Sequence, residues 1–287
     1  MPRIAYVNGR YVPHGDAAVH IEDRGYQFAD GVYEVVTVFQ GRMVDEDAHL
    51  DRLDRSLHEL LIDAPMRRGA LRLVMHEVVR RNRLIDGLLY MQVTRGVARR
   101  NHAFPAGVRP ALVLTARSVR LPGDEVLEDG VHVVTVPDIR WARRDIKSVS
   151  LLPNVLAKEE AVAQGSFEAW MVDQHGNITE GSSSNAWIVT ADNRLVTRPT
   201  GHEILTGITR QAILAVAQEN GLAFEERAFS VEEAKSAREA FLSSATSFVM
   251  PVTQIDDAVI GNGKPGSLTR TLHNQYLKYM KSMPLIA

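Results

Sequence analysis

A polar, turn-rich segment, LPGDEVLEDG (121–130), divides the 287-residue chain into two stretches, each of which alternates apolar strand patterns with amphipathic helix patterns. Clusters of Gly, Pro and Asp between periodic stretches are typical of linkers, and the length suffices for two modest domains. We therefore predict a smaller N-terminal domain over 1–120, a linker over 121–130 and a larger C-terminal domain over 131–287. A catalytic site between the two domains is the usual expectation.

Hydrophobic periodicity predicts both helices and strands in each stretch. Asn8-Gly9 lies between two short apolar runs and predicts a β-hairpin, because this pair readily adopts the positive φ angles of a type I′ turn. VYEVVTVF (32–39) predicts a buried strand, and leucines at helical spacing predict a helix over 46–61. Further helices are predicted near 68–82, 153–164, 208–220, 231–237 and from 267, and further strands at 88–97, 111–117, 131–136, 167–173, 178–181, 185–190, 240–244 and 248–255. This mixture predicts α/β and α+β domains.

Composition excludes several classes of protein. The absence of cysteine rules out disulfides, thiolate zinc sites, iron–sulfur clusters and a cysteine nucleophile. A net charge of −2 favours neither nucleic acid nor an anionic membrane. The N-terminus lacks the apolar stretch of a signal peptide, and no segment approaches the about 20 apolar residues of a membrane span. We therefore predict a cytoplasmic globular protein, without a metal site, that binds neither nucleic acid nor membrane.

Lys147 lies in the segment Arg144-Asp145-Ile146-Lys147-Ser148, just before a predicted helix. Arg143 and Arg144 precede it. An amine close to other cations and partly removed from water loses its proton more readily, and the neutral form can attack an aldehyde. A solvated surface lysine is the alternative interpretation.

Glu180 lies where a predicted strand ends, in the segment TEGSSSN (179–185). A glycine and three serines follow it, so the chain can approach a ligand closely with hydroxyl donors nearby. A carboxylate at such a place could keep a pyridine nitrogen protonated. The alternative is a polar hairpin loop.

Two further segments favour anion binding. In LTGITR (205–210), Gly207 permits a tight entry to the following helix, whose first N–H groups and dipole attract an anion. The alternative is a capped helix that binds nothing. SSATS (243–247) follows a strand. It is either a second contact for the same anion, such as a phosphate, or an ordinary polar loop.

Arginines suggest two more contacts. Arg52, in the predicted helix that contains HLDRL (49–53), is either a solvated helix arginine or a phosphate ligand whose planar fork suits the task. The loop RGVARRNH (95–102) contains three arginines and a histidine. It is either a site for a carboxylate or a solvated basic loop.

Five segments occur together in an order that resembles the fold-type IV pyridoxal-phosphate enzymes over nearly the whole chain. They are RGYQFADGVYE (24–34), HLDRL (49–53), the lysine segment, EGSSSN (180–185) and GITR (207–210). This family includes the D-amino-acid, branched-chain and (R)-amine aminotransferases and aminodeoxychorismate lyase. The resemblance implies a small N-terminal domain, a larger C-terminal pseudo-barrel domain and pyridoxal 5′-phosphate as the cofactor.

Within this family the chain looks most like the D-amino-acid aminotransferases. Tyr33, Arg100 and His102 match a trap for the substrate carboxylate whose loop comes from the neighbouring subunit, which implies a homodimer. The implied reaction is ping-pong transfer of an amino group from a D-amino acid of the D-alanine type to a 2-oxo acid. A branched-chain or (R)-amine specificity, the lyase reaction and a non-catalytic cofactor-binding protein are the alternatives.

The resemblance also implies roles for single residues. Lys147 would hold the cofactor as a Schiff base and carry a proton, and Glu180 would pair with the pyridine nitrogen. Leu205 would pack beside the ring. The implied phosphate contacts are Arg52, Ile208, Thr209, Ser244 and Ala245. Ala245 replaces a frequent hydroxyl residue, so Thr246 is an alternative contact, and Ala29 replaces a frequent glycine.

Overall fold

The computed structural model describes residues 3–122 and 126–286, which form two compact units. Unit 1 contains residues 3–121, 146–150 and 280–286, and unit 2 contains the other described residues up to Tyr279. Lys147 therefore belongs to unit 1, although it lies between two parts of unit 2 along the chain. The linear boundaries inferred from the sequence, with a linker at 121–130, stay a prediction.

Unit 1 is built on a mixed arrangement of helices and one antiparallel sheet. Its strands are β1 (Ile4–Val7), β2 (Arg10–Pro13), β3 (Gly31–Phe39), β4 (Arg42–Met43), β5 (Gly87–Thr94) and β6 (Ala111–Ser118), and its helices are α1 (Arg24–Phe28), α2 (Glu46–Glu59) and α3 (Arg68–Arg81). Among the described residues the sheet has six strands in the order β2-β1-β6-β5-β3-β4, and every pair of neighbours is antiparallel.

The core of unit 1 forms where α2 and α3 pack on this sheet. Leu50, Leu53 and Leu57 are buried on α2, as their helical spacing predicts, and they share one cluster with Met75 of α3 and Val36 of β3. The predicted hairpin is also confirmed: β1 and β2 pair, and Asn8 and Gly9 between them have φ angles of 45° and 95°. The strand and helix patterns therefore predicted this core correctly.

Unit 2 is built on a larger sheet with helices packed on it. Its strands are β7 (Val131–Pro137), β8 (Glu168–Val172), β9 (Ile178–Gly181), β10 (Asn185–Val189), β11 (Leu195–Thr197), β12 (Phe224–Glu226), β13 (Glu239–Ser244), β14 (Phe248–Ile255) and β15 (Ala258–Val259). Its helices are α4 (Val126–Asp129), α5 (Leu152–Ala163), α6 (Ile208–Glu219), α7 (Val231–Lys235) and α8 (Ser267–Ser282), and the last three residues of α8, 280–282, are counted in unit 1. Within the described part, the sheet order is β12-β11-β10-β13-β14-β7-β8-β9, with β15 beside β14.

This sheet mixes parallel and antiparallel pairs. β7 lies parallel to β8 and β14, whereas β10 and β13 pair in antiparallel fashion. All five residues of β10 are buried, as expected of a strand covered on both faces. Register places Asn185, the first residue of β10, opposite Ser243 near the end of β13. Two of the predicted functional segments therefore lie side by side in unit 2.

Two short helices are additions to the elements that the sequence predicts. Within the segment 121–130, residues 126–129 form α4, and residues 123–125 lie outside the described residues. At 24–28, Asp23 accepts a hydrogen bond from the backbone N–H of Gly25 and begins α1. Ala29 ends α1 with a φ of 55°, a left-handed conformation that favours glycine. In the described ranges, no helix is both apolar and long enough to cross a membrane.

Candidate active site

Lys147 is held in unit 1 by the backbone of β3. Its carbonyl oxygen accepts a hydrogen bond of 3.0 Å from Tyr33 N–H, and the N–H of Val149 donates to Gly31 at 3.0 Å. These bonds fix the lysine segment beside the strand that carries Tyr33. The Lys147 Nζ atom lies 4.3 Å from the centre of the Tyr33 ring, within the range of a cation–π contact. Two residues for which chemical roles were predicted therefore meet in unit 1.

Arg143 and Arg144 do not act as free cations. Arg143 forms two hydrogen bonds of 3.0 Å to Asp145, and Arg144 Nε lies 3.4 Å from an Asp138 oxygen. An arginine paired with a carboxylate exerts a weaker field on its neighbours than an unpaired one. The two cations that precede Lys147 in the sequence are thus compensated by aspartates and are not the unpaired positive charges that the sequence suggested.

Arg52 is buried rather than solvated. Its Nε and Nη2 atoms donate to the two carboxylate oxygens of Glu34 at 2.8 and 2.7 Å, and His49 Nδ1 lies 2.7 Å from Glu34 Oε2. Burial alone would raise the pKa of Glu34, but the charge and hydrogen bonds of Arg52 and His49 outweigh it and lower the pKa to about 2. Glu34 therefore clamps the arginine that was predicted to bind phosphate.

The loop that carries Arg100 and His102 rests on one aromatic ring. The Arg100 guanidinium lies 4.9 Å from the centre of the Phe28 ring, and the His102 ring lies 5.3 Å from it. Arg24, which is buried, donates to the carbonyl of Asn101 at 2.6 Å. Both predicted trap residues themselves are exposed. The segment 24–28 therefore supports this loop, a role that its sequence did not reveal.

Asp30 connects that support to the rest of unit 1. It accepts hydrogen bonds from Arg24 Nε at 2.7 Å and from Arg95 Nε and Nη2 at 2.8 and 3.0 Å. Burial opposes ionisation of Asp30, yet Arg95 and Arg24 lower its pKa below the ordinary value. Arg95 was predicted as part of a basic carboxylate site, but its charge is used here to hold the base of the loop.

Glu180 lies in unit 2 among several polar partners. It is buried at the end of β9, and both of its oxygens accept the N–H of Leu205 at 3.1 Å. Asn185 Nδ2 donates to Oε2 at 3.0 Å, and Arg140 Nη1 forms an ion pair with Oε1. Burial raises the pKa of Glu180 and outweighs Arg140 and the Leu205 N–H group, which both lower it, while the negative charge of Asp138 adds a smaller effect that raises it. The carboxylate is rigidly held but short of positive charge.

The beginning of α6 is joined to Glu180 through Asn185. Asn185 Nδ2 also donates to the carbonyl of Leu205 at 3.0 Å, and a Cβ added at Gly207 would lie 2.0 Å from Asn185 Oδ1. Only glycine fits this contact, so Gly207 allows α6 to begin close to β10. At the N-terminus of α6, no side chain in the described part of the structure forms a capping hydrogen bond. Its first N–H groups, at Ile208 and Thr209, keep the character of an anion site.

The loop after β13 folds back on one hydroxyl group. Ser244 Oγ accepts the N–H groups of Thr246 and Ser247 at 3.2 and 3.0 Å and lies 3.0 Å from Thr246 Oγ1. Because Asn185 pairs with Ser243, this loop lies beside the residue that joins Glu180 to α6. Unit 2 therefore brings together Glu180, Leu205, the first residues of α6 and the loop around Ala245.

Two neighbours of the predicted site residues were missed from the sequence. Glu168 accepts hydrogen bonds from the hydroxyl groups of the three serines 182–184, so these hydroxyls hold their own loop. Arg140 pairs with Glu180, and the arginine was not singled out because it lies 40 residues away along the chain. Its spacing from Asp138, two residues earlier, was the available signal, and it is too common to be specific.

Comparison with known proteins decides the family. The sequence pattern described as amino-transferase class IV matches residues 31–255. The chain belongs to the class IV aminotransferases. D-alanine aminotransferases from Bacillus licheniformis and Staphylococcus haemolyticus are 43% and 40% identical to it, over 92% and 96% of this chain and 93% and 98% of theirs. The predicted family is therefore confirmed.

Solved structures confirm the predicted fold class. The branched-chain amino acid aminotransferase of Escherichia coli matches this class IV aminotransferase with a TM-score of 0.89 at 24% identity, over 96% of this chain and 94% of that one. The branched-chain aminotransferase of Thermoproteus uzoniensis, solved with norvaline, matches with a TM-score of 0.85 at 24% identity, over 99% of each chain. At these identities the likeness concerns the fold.

The residues present fit the cofactor of this class. Class IV aminotransferases depend on pyridoxal phosphate, and a further branched-chain enzyme of this fold, with a TM-score of 0.91, was solved with pyridoxamine 5′-phosphate, so the cofactor prediction is confirmed. Unit 1 offers a lysine amine beside an aromatic ring, and unit 2 offers a buried carboxylate joined to a helix N-terminus. An aldehyde, a basic ring nitrogen and a phosphate need these three kinds of group.

Proposed function

We propose that this class IV aminotransferase transfers the amino group of a D-amino acid of the D-alanine type to a 2-oxo acid by a ping-pong mechanism. The observation that carries the proposal is the contact of Lys147 Nζ with the Tyr33 ring, which joins the proposed catalytic amine to a proposed substrate-binding residue. The names of the relatives at 40–43% identity support the D-alanine specificity. A cytoplasmic location stays a prediction.

The cofactor would be held by the residues whose roles the resemblance implies. Lys147 would bind the cofactor aldehyde covalently and then move a proton at the substrate Cα. Glu180 would accept a hydrogen bond from the protonated pyridine nitrogen, with Leu205 beside the ring. The phosphate contacts would be Arg52, Ile208, Thr209, Ser244 and Ala245. When bound, pyridoxal phosphate supplies the electron sink that stabilises negative charge on the substrate Cα.

The substrate carboxylate would be bound by Tyr33, Arg100 and His102. Arg100 and His102 are exposed, and the Phe28 ring supports both. A supported but exposed cation suits a site that is completed by a second copy of the chain, so we include a homodimer in the proposal. Arginine and histidine can donate together to a planar carboxylate.

A matched pair of variants in one loop tests the specificity. Arg100→Ala should raise the KM for D-alanine by at least about tenfold, because a charge-assisted hydrogen bond is lost. Arg99→Ala, an exposed neighbour in the same loop, should leave this KM unchanged. Initial rates with 2-oxoglutarate as the acceptor give both values. An unchanged KM for Arg100→Ala would contradict the carboxylate trap.

The alternative specificities are separated by a donor panel. D-alanine should bleach the visible cofactor band faster than L-leucine, which has the opposite configuration at Cα. It should also react faster than (R)-1-phenylethylamine, which has no carboxylate. A faster reaction with L-leucine would favour a branched-chain enzyme, since solved branched-chain aminotransferases share this fold. Pyruvate release from aminodeoxychorismate without an oxo-acid acceptor would favour the lyase. Borohydride reduction followed by peptide mapping should label Lys147, and no label there would contradict every one of these reactions.

A further inference from the structure

Arg140 lies between two carboxylates of unit 2 and touches both. Its Nε and Nη2 atoms donate to Asp138 at 3.0 and 2.7 Å, and its Nη1 atom is paired with Glu180 Oε1. The side chain is almost fully buried. Such a geometry fixes the guanidinium plane, because the arginine fork matches a carboxylate with two parallel bonds.

Asp138 is itself held in place, so that it can orient Arg140. Thr179, the residue before Glu180, donates its hydroxyl to Asp138 Oδ2 at 2.7 Å. Asp138 also accepts the backbone N–H of Arg140 at 3.1 Å. Burial disfavours the charged aspartate, but the bonds to Arg140 and Thr179 lower its pKa below the ordinary value. Asp138 is therefore a fixed anion that binds the Nε and Nη2 atoms of Arg140, while Nη1 is left for Glu180.

The remaining partners of Glu180 orient it but bring no charge. Asn185 and the Leu205 N–H group are neutral donors, and each also helps to position the chain between β9 and α6. Among the described contacts of Glu180, Arg140 is the cation. A buried carboxylate without a cationic partner takes up a proton rather than stay charged.

We propose that Arg140 is a positioning residue that keeps Glu180 ionised and oriented toward the pyridine nitrogen of the cofactor. The inference rests on the proposed function, because it takes the pyridine contact of Glu180 as given. Arg140 itself acts through the carboxylate. Asp138 sets the direction of the guanidinium, and Arg140 transmits that direction to Glu180 Oε1.

The test compares cofactor binding by Arg140→Met, Arg140→Lys and the wild type between pH 6 and pH 9. A neutral Glu180 cannot pair with the positive charge of the pyridinium N–H group as a carboxylate does. Arg140→Met should therefore bind pyridoxal phosphate more weakly, most of all at low pH. We expect the ratio of its dissociation constant to that of the wild type to rise by at least about tenfold as the pH falls across this range. Arg140→Lys keeps the charge and should restore most of the affinity at low pH.

A purely structural role for Arg140 predicts a different result. The control is Arg198→Met, which removes another buried arginine of unit 2 that is paired with two carboxylates, Asp173 and Glu203. This variant should lose stability while its dissociation constant keeps the wild-type pH dependence. If Arg140→Met and Arg198→Met behave alike, or if Arg140→Lys weakens toward low pH as steeply as Arg140→Met, Arg140 does not keep Glu180 ionised and the proposal is overturned.

Failure of the proposed function gives a separate signature. If Glu180→Gln binds pyridoxal phosphate as tightly as the wild type at every pH, the pyridine contact of Glu180 is wrong. If Glu180→Gln weakens binding but Arg140→Met does not, only the inference about Arg140 fails. The visible band of the lysine-bound cofactor and the KM for D-alanine provide two further readouts. The band should change in Arg140→Met, whereas the KM should stay within about threefold because the substrate carboxylate is bound elsewhere.

Discussion

Glu34 of unit 1 and Glu180 of unit 2 are both buried and both paired with arginine, yet their pKa values move in opposite directions. Burial alone would raise both values. Glu34 has Arg52 and His49 as its partners, and its pKa falls to about 2. Glu180 shares Arg140 with Asp138, and its pKa is raised.

The balance between burial and cationic partners explains this difference. Glu34 accepts two bonds from Arg52 and lies beside His49, and these partners outweigh burial. At Glu180 burial prevails over Arg140, and the negative charge of Asp138 adds a smaller effect that raises the pKa, which leaves Glu180 suited to one more positive group. Groups with perturbed pKa values concentrate at functional sites. A protonated pyridine would supply a positive charge to Glu180. Glu34 already contacts Arg52 and His49, so we infer that it supports Arg52.

Neutralising the two glutamates should separate them most clearly. Glu34→Gln removes the carboxylate that Arg52 and His49 share, and loss of one partner from a buried pair costs about 3–5 kcal/mol. Glu180→Gln should destabilise the fold by less, since it also removes a charge that is costly to bury. Its amino-transfer rate should nevertheless fall by about a hundredfold. Urea unfolding and D-alanine turnover measure the two effects.

The control for this pair is Glu219→Gln, an exposed residue of α6. It should change neither the free energy of unfolding nor the rate. If Glu34→Gln proved as stable as the wild type while Glu180→Gln unfolded, the assignment of one residue to support and the other to chemistry would have to be reversed.

The pH dependence of stability should also differ in sign between the two residues. The pKa of Glu34 is lowered in the folded state, so its stabilisation is present above the unfolded value near about 4.3 and is lost as the pH falls toward 2. The difference in unfolding free energy between wild type and Glu34→Gln should shrink by about 3 kcal/mol over that window.

Glu180 should show the reverse trend. Because its pKa is raised in the folded state, its charge costs stability at high pH, and this cost disappears as the carboxyl is protonated on acidification. Glu180→Gln should therefore gain most in stability relative to wild type at the alkaline end of a urea series. A constant difference at every pH would mean that Glu180 keeps one protonation state throughout.

The sequence predicted the elements of both units better than it predicted their contacts. Leucine spacing located α2, and the run of β-branched residues located β3, because these patterns repeat over many residues. The helix at 24–28 was missed because it is one turn long and begins at Asp23 without an apolar repeat. Short elements that depend on a cap carry little periodic signal.

The candidate site shows the same limit. The resemblance pointed to Lys147, Glu180 and the Gly207 turn, whose residue types are needed by the chemistry itself. It did not reveal that Glu34 clamps Arg52, nor that Asp138 and Arg140 reach Glu180, because such partners are distant in sequence and are chosen by folding. Charged residues are common along the chain, and burial alone does not single these out, because Arg198, Arg210 and Glu239 are buried as well.

The smallest effect should come from Asp138→Asn, and its direction is the informative part. This change removes the second carboxylate from Arg140 while the amide can still contact Thr179, so the guanidinium charge then serves Glu180 alone. The pKa of Glu180 should fall, and the pH dependence of cofactor binding should move to lower pH by about one unit, opposite to the displacement expected for Arg140→Met. Titration of the dissociation constant for pyridoxal phosphate from pH 5 to pH 9 measures it. A displacement to higher pH would mean that Asp138 matters chiefly by orienting Arg140, and that loss of this orientation outweighs the loss of its negative charge.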